Sequence, residues 1–159
     1  MATEPIVINT GPLILLEKAG ALDLAVRLPF QFVCPPAVRL ELDAGAAKGF
    51  PVLDLPWLFV QPLKTPLSAF AQATLDPGEA EVIQLALERG YRQVCLDDLR
   101  GRRIAVASGL RVTGVLGLLA LAKTTGLIPN MKPYCDRLLQ NGAWYSPLLV
   151  RRVLSGVGE

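Results

Sequence analysis

Apolar residues fall into short blocks separated by polar residues, glycines and prolines. Residues 5–9 (Pro-Ile-Val-Ile-Asn) run apolar into a polar end, and Thr10-Gly11-Pro12 follows. That pattern predicts a first strand, a turn, and a helix over 13–18 opened by Pro12 and stopped at Gly20. A second helical piece over 22–28 stops at Pro29. A short strand is predicted over 31–34, and Pro35-Pro36 opens a helix over 37–43. Residues 44–56, rich in Gly, Ala and Pro, read as a loop. A strand over 58–63 and a short helix over 67–73 come next. Asp76-Pro77-Gly78 then introduces the clearest helix of the chain, 79–89, ended by Gly90. Val94-Cys95-Leu96 meets the adjacent carboxylates Asp97-Asp98, predicting a central strand over 93–97 and a helix over 99–108. Residues 111–113 form a further strand, 114–123 a buried helix, and 130–141 and 147–154 two terminal helices. Strands alternating with helices in this way argue for an α/β fold with a mostly parallel sheet covered on both faces. One domain over 1–159 is expected, without repeats or low-complexity segments.

Helical phase sorts the carboxylates. At 100° per residue Glu41 falls in one stripe with Ala37, Val38 and Leu42, while Arg39 and Asp43 face away. An ionised carboxylate in that stripe needs a partner, or snorkels to its edge. On the helix 79–89, Glu81, Gln84 and Glu88 share a polar face. Glu79 lies opposite, among Val82, Ile83 and Ala86. The dipole at the helix N-terminus stabilises Glu79 without giving a reason for it to face the core. Asp97 and Asp98 sit just past the carboxyl end of a strand, where open α/β sheets carry functional groups. The plainer alternative is that Asp98 caps the next helix and Asp97 is solvated. Gly114 and Gly117 form a GxxG without the lysine of a phosphate loop, which reads as tight helix packing.

Composition narrows the chemistry. With 52% hydrophobic residues in 159, the chain is not generally disordered. Its longest apolar stretches fall far short of a membrane span, and Arg111 interrupts the most apolar region. Glu4 and Pro5 stand where a signal peptide would be basic and apolar, so a soluble, cytoplasmic protein is expected. The three cysteines, Cys34, Cys95 and Cys135, form no CxxC and suit a reducing compartment. Histidine is absent. Ser-His-Asp and Cys-His systems and the usual zinc sites are thereby excluded, leaving carboxylates working through a hard cation such as Mg²⁺ or Mn²⁺. The net charge of +2 is uneven: ten acidic and five basic residues precede Arg89, and four acidic and eleven basic follow from it onward. A basic second half suits a polyanionic ligand or a solvated surface.

Asn9 at the end of the first strand, Glu41 and Glu79 on helices, and Asp97 and Asp98 after the central strand thus form a candidate set of oxygen donors. If gathered in one pocket, the carboxylates repel and take up protons unless a divalent cation offsets them. The chain resembles the PIN-domain superfamily, and within it the PIN-like proteins related to VapC-type toxins. The resemblance is carried by Val7 to Ile14 (VINTGPLI), Val38-Arg39-Leu40-Glu41, Gly78-Glu79-Ala80-Glu81, and Leu96-Asp97-Asp98 with Gly101-Arg102. Val112 to Gly117, Ala122-Lys123 and Gly126-Leu127-Ile128 continue it. It implies a three-layer α/β/α fold and a metal-dependent endoribonuclease, the toxin half of a toxin–antitoxin pair, cleaving single-stranded RNA. Asn9, Glu41, Glu79 and Asp97 or Asp98 would hold Mg²⁺ or Mn²⁺; Thr10, Arg102 and Arg103 would hold RNA phosphates. The implied partners are RNA, a small cognate antitoxin and a second copy in a homodimer, with no membrane.

Asn9 departs from the aspartate typical of that superfamily. An amide oxygen can ligate a hard cation, yet it carries no charge and cannot act as a base. The alternative function is therefore a PIN-like protein that does not cleave and binds RNA or an antitoxin. A phospho-acceptor receiver domain shares the α/β pattern, but needs its aspartate pair near the chain start, so it is set aside.

Overall fold

The computed structural model describes residues 3–159. Its elements run β1 (Glu4–Ile8), α1 (Thr10–Lys18), α2 (Leu22–Ala25), β2 (Phe30–Cys34), α3 (Pro36–Ala47), β3 (Phe59–Val60), α4 (Ala69–Thr74), α5 (Pro77–Arg89), β4 (Gln93–Cys95), α6 (Leu99–Ala107), β5 (Arg111–Thr113), α7 (Val115–Thr124), α8 (Lys132–Gln140) and α9 (Pro147–Gly156). The five strands form one all-parallel sheet in the order β3-β2-β1-β4-β5. Helices flank it in the three-layer α/β/α arrangement that the resemblance implies.

β1 lies at the centre because it is apolar on both faces: Ile6, Val7 and Ile8 are fully buried. It pairs with β2 on one side (Val7 opposite Val33) and with β4 on the other (Ile8 opposite Cys95). From β1 the chain builds outward through β2 and β3, then crosses to β4 and builds outward the other way. The β1/β4 junction is therefore the switch point, and the crevice outside its carboxyl ends is where such sheets place ligands. Asn9 follows β1 there, its N–H donating to Cys95 O at 3.1 Å. Asp97 and Asp98 follow β4.

Most predicted boundaries shift by one to three residues, among them the central strand, which ends at Cys95 rather than Asp97, and three elements differ more. α3 continues to Ala47 rather than stopping at Asp43, because Ala44, Ala46 and Ala47 favour helix strongly enough to carry Gly45. β3 keeps only Phe59 and Val60 of the predicted strand 58–63; Pro56 and Pro62 bracket this edge strand and deny it ladder donors. The helix expected over 22–28 is regular only over Leu22–Ala25. Gly114 and Gly117 also have a different purpose from helix packing. A Cβ at Gly117 would meet Thr113 Oγ1, and one at Gly114 would sit 2.6 Å from Asp97 Oδ1 and 2.9 Å from Arg102 Nη1. Both glycines make room for polar side chains.

All three cysteines are buried and unpaired, consistent with small core residues. Among the described residues no helix is long and apolar enough to cross a membrane.

Candidate active site at the carboxyl edge of the sheet

Four helix N-termini open onto the carboxyl edge of the sheet, and each begins with a residue of the candidate set or beside one. Asn9 precedes α1. Asp76 caps α5, accepting from Glu79 N–H at 2.9 Å. Asp98 caps α6, accepting from Gly101 N–H at 3.1 Å. The Asp97 carboxylate accepts from Val115 N–H at the start of α7, 3.2 Å from Oδ2. Capping and helix dipoles account for aspartates at these places. They do not account for what the side chains meet beyond the caps.

Gly78 marks the first meeting point. A Cβ there would stand 2.5 Å from Glu41 Oε1, 3.1 Å from Asn9 Oδ1 and 3.4 Å from Asp76 Oδ1. Oxygens from three separate segments thus crowd one spot that only glycine leaves open. Asn9 Oδ1 is buried without a hydrogen-bond partner, and so is Thr10 Oγ1 beside it. A buried amide oxygen left unpaired costs roughly 1–3 kcal/mol, so its aim into an acidic crevice calls for a partner there, a water or a cation.

Glu79 marks the second. It is buried, as its helical phase predicts, and its carboxyl group packs over Gly101, where a Cβ would lie 3.4 Å from Cδ. Burial first, then the neighbouring carboxylates of Asp76 and Asp98, push Glu79 up to about 7. Asp98, the helix cap, is thus the member of the Asp97/Asp98 pair that faces Glu79.

Asp97 turns the other way. Besides Val115 N–H it receives the Tyr145 hydroxyl at 3.4 Å. Burial raises it from the usual carboxylate range, against the pull of that N–H, the Arg102 guanidinium and the tyrosine. Arg102 is anchored beside it by a 2.7 Å bond from Nη1 to Leu96 O. Arg103 is exposed on α6. The predicted set therefore divides: Asn9, Glu41, Glu79 and Asp98 gather on one side of the switch point, and Asp97 and Arg102 on the other.

Two expectations need correction. Glu41 is exposed rather than enclosed by the stripe of Val38 and Leu42, and only its carboxylate end reaches Gly78. Glu81 does not belong to the solvated face. It is half-buried and raised from the usual range by burial and by the nearby Glu41. Gln84 and Glu88 instead hold the loop before α4, through Thr65 and Lys64.

Asp76, Glu81 and Tyr145 were absent from the sequence-derived set. Asp76 had a signal: Asp-Pro-Gly-Glu has the spacing of a capping box, in which the first side chain accepts from the fourth residue's N–H, as Asp76 does from Glu79. Tyr145 had none, standing 48 positions from Asp97.

The donors are all hard oxygens and suit a divalent cation in kind. The orphaned Asn9 oxygen and Glu79, raised by burial and by Asp76 and Asp98, are what such an ion would relieve. Among the described residues, no three acidic, cysteine or histidine side chains already stand close enough to hold a metal by themselves.

The family model described as a PIN domain matches residues 5–159. No curated protein and no solved structure matches the chain. PIN domains are generally nucleases and typically use divalent metals.

Proposed function

Since the chain belongs to the PIN-domain family, we propose that it is a metal-dependent endoribonuclease acting on single-stranded RNA. Asn9, Glu41, Glu79 and Asp98 would hold Mg²⁺ or Mn²⁺, and that ion when bound supplies positive charge for the phosphoryl group and a more acidic water. Asp76 fixes the first turn of α5, and with it the position of Glu79. Glu79, raised to about 7 in the metal-free protein by burial and by the Asp76 and Asp98 carboxylates, is the ligand that a bound cation would return to its ionised form. Arg102 and Arg103 lend charge for the RNA backbone. The carrying observation is the crowding of Glu41 Oε1 and the unpartnered Asn9 Oδ1 around Gly78.

The biological setting we propose is the toxin half of a toxin–antitoxin pair, working in the cytoplasm as a homodimer and restrained by a small antitoxin. Leu40, Phe50 and Val52, exposed on α3 and the loop beyond it, support a surface that a partner protein covers. The second reading is a protein that binds RNA or an antitoxin without cleaving, and the uncharged Asn9 favours it. One assay separates the two. Purified protein should cleave a single-stranded oligoribonucleotide with Mn²⁺, stop with EDTA, and lose cleavage in Glu41→Gln. Binding of the oligoribonucleotide without any cleavage at saturating Mn²⁺ would establish the second reading instead.

A further inference from the structure

On the far side of the switch point from Glu79 lies a pocket of about 640 Å³. Its walls are largely apolar, formed by residues such as Leu116, Leu149 and Val153. Its charged groups are the Asp97 carboxylate, with the Tyr145 hydroxyl bonded to it, and the Arg102 guanidinium; Thr113 and Ser146 add two hydroxyls. Trp144 stands on the rim and is 86% exposed. A tryptophan left so open contributes almost nothing to folding. Its neighbour Tyr145 is half-buried and spends its hydroxyl on Asp97.

We propose that this pocket takes one unstacked base of a single-stranded RNA, with the indole of Trp144 as its stacking platform. The proposal rests on the ribonuclease reading above and deepens it by assigning where a nucleotide beside the cleaved bond is held. A concave site with apolar walls and a few convergent polar groups fits a small planar group better than a flat protein surface. The Asp97 carboxylate accepts from a base amino group, and Arg102 offers positive charge toward the backbone. Both residues also adjoin the end of β4, so a strand with its base here passes the Asp98–Glu79 side within a nucleotide or so. The chain is poor in aromatics, 6% overall, yet two of its few meet at this place.

The test is binding of a dye-labelled single-stranded oligoribonucleotide, followed by anisotropy in EDTA so that cleavage plays no part. Trp144→Ala should weaken binding roughly tenfold, as expected for the loss of one stacked base, and Trp144→Phe should retain most of it. In a Trp57→Phe background, the remaining Trp144 fluorescence should quench saturably as oligoribonucleotide is added. Unchanged affinity in Trp144→Ala, with Glu41→Gln still abolishing cleavage, overturns the pocket and leaves the nuclease reading standing. A switch from dimer to monomer in Trp144→Ala, without change in RNA affinity, overturns it in favour of a second copy. Wild-type protein that binds no oligoribonucleotide in EDTA overturns the pocket, and the nuclease reading is then decided separately by cleavage with Mn²⁺.

Discussion

The two ends of α5 carry the same residue type and treat it in opposite ways. At the N-terminal end Glu79 and Glu81 are raised, Glu79 to about 7. At the C-terminal end Glu88, half-buried as Glu81 is but surrounded by hydrogen-bond donors, is lowered to about 2. Glu88 accepts from Lys64 N–H at 2.7 Å, from the Thr65 hydroxyl at 2.7 Å and from Gln84 at 2.9 Å. Each bond favours the ionised form. Glu79 meets burial and two further carboxylates, with no cation beside it. One glutamate is finished by the fold; the other is left wanting positive charge. That asymmetry, more than the number of acids, separates a structural carboxylate from a candidate ligand.

The largest expected effect comes from removing the charge at Glu79. Its native pKa lies above that of the unfolded chain, so between about 4.5 and about 7 the native state holds the extra proton. Stability of the metal-free protein should therefore fall as pH rises through that window and level off above it. Fully expressed, the shift corresponds to up to about 3 kcal/mol at pH 8. Glu81 and Asp97, also raised, act in the same direction. Glu79→Gln should remove most of the slope, stabilise the metal-free protein at pH 8, and cut Mn²⁺-dependent cleavage by about 100-fold or more. Added Mn²⁺ should flatten the wild-type slope. Melting temperatures from pH 4.5 to 8 read all of this, and a flat wild-type profile would show that Glu79 is not strained.

Asn9→Asp should have a smaller effect, on the order of 1 kcal/mol. Asn and Asp are nearly isosteric, so the change adds charge where Glu41 Oε1 already crowds Gly78. The metal-free protein should lose stability through like-charge repulsion. Mn²⁺ should bind tighter by about 1 kcal/mol net, the Coulomb gain of an added charge (about 4 kcal/mol for unit charges about 4 Å apart at an effective dielectric of about 20) being largely offset by desolvation of the new carboxylate. Calorimetric titration decides it: unchanged affinity would mean that the oxygen at position 9 does not touch the ion.

Much of this was legible in the sequence because local chemistry and tertiary structure agree there. Apolar blocks gave the order of strands and helices, Asp-Pro-Gly gave the start of α5, and helical phase placed Glu79 inward. Phase failed for Glu41 and Glu81. A helical wheel reports the direction of a Cβ, whereas a glutamate reaches several ångströms beyond it. The carboxylates of α3 and α5 approach each other from side chains whose positions on the wheel say little of where they end. Choosing between Asp97 and Asp98 was equally out of reach. The choice depends on Val115 N–H and Tyr145, which come from segments 18 and 48 positions further along.

The smallest effects sharpen the comparison most, because they should differ in sign. Glu81→Gln and Glu88→Gln are the same substitution on the same helix, two turns apart. At position 81 the change removes a half-buried charge that faces Glu41, so the metal-free protein should melt slightly higher. At position 88 it removes the anionic acceptor shared by Lys64 N–H, Thr65 and Gln84, so the protein should melt slightly lower. Hydrogen exchange should localise the second loss to the amides of Lys64 and Thr65 and leave the crevice around Gly78 unchanged. Saturating Mn²⁺ provides the internal control. The ion should reduce the gain in Glu81→Gln, because it relieves the same repulsion, and should leave the loss in Glu88→Gln as it was. Shifts of equal sign in the two variants would mean that Glu81 and Glu88 experience the same surroundings. The carboxylates of α5 would then be a solvated row rather than one edge of a site.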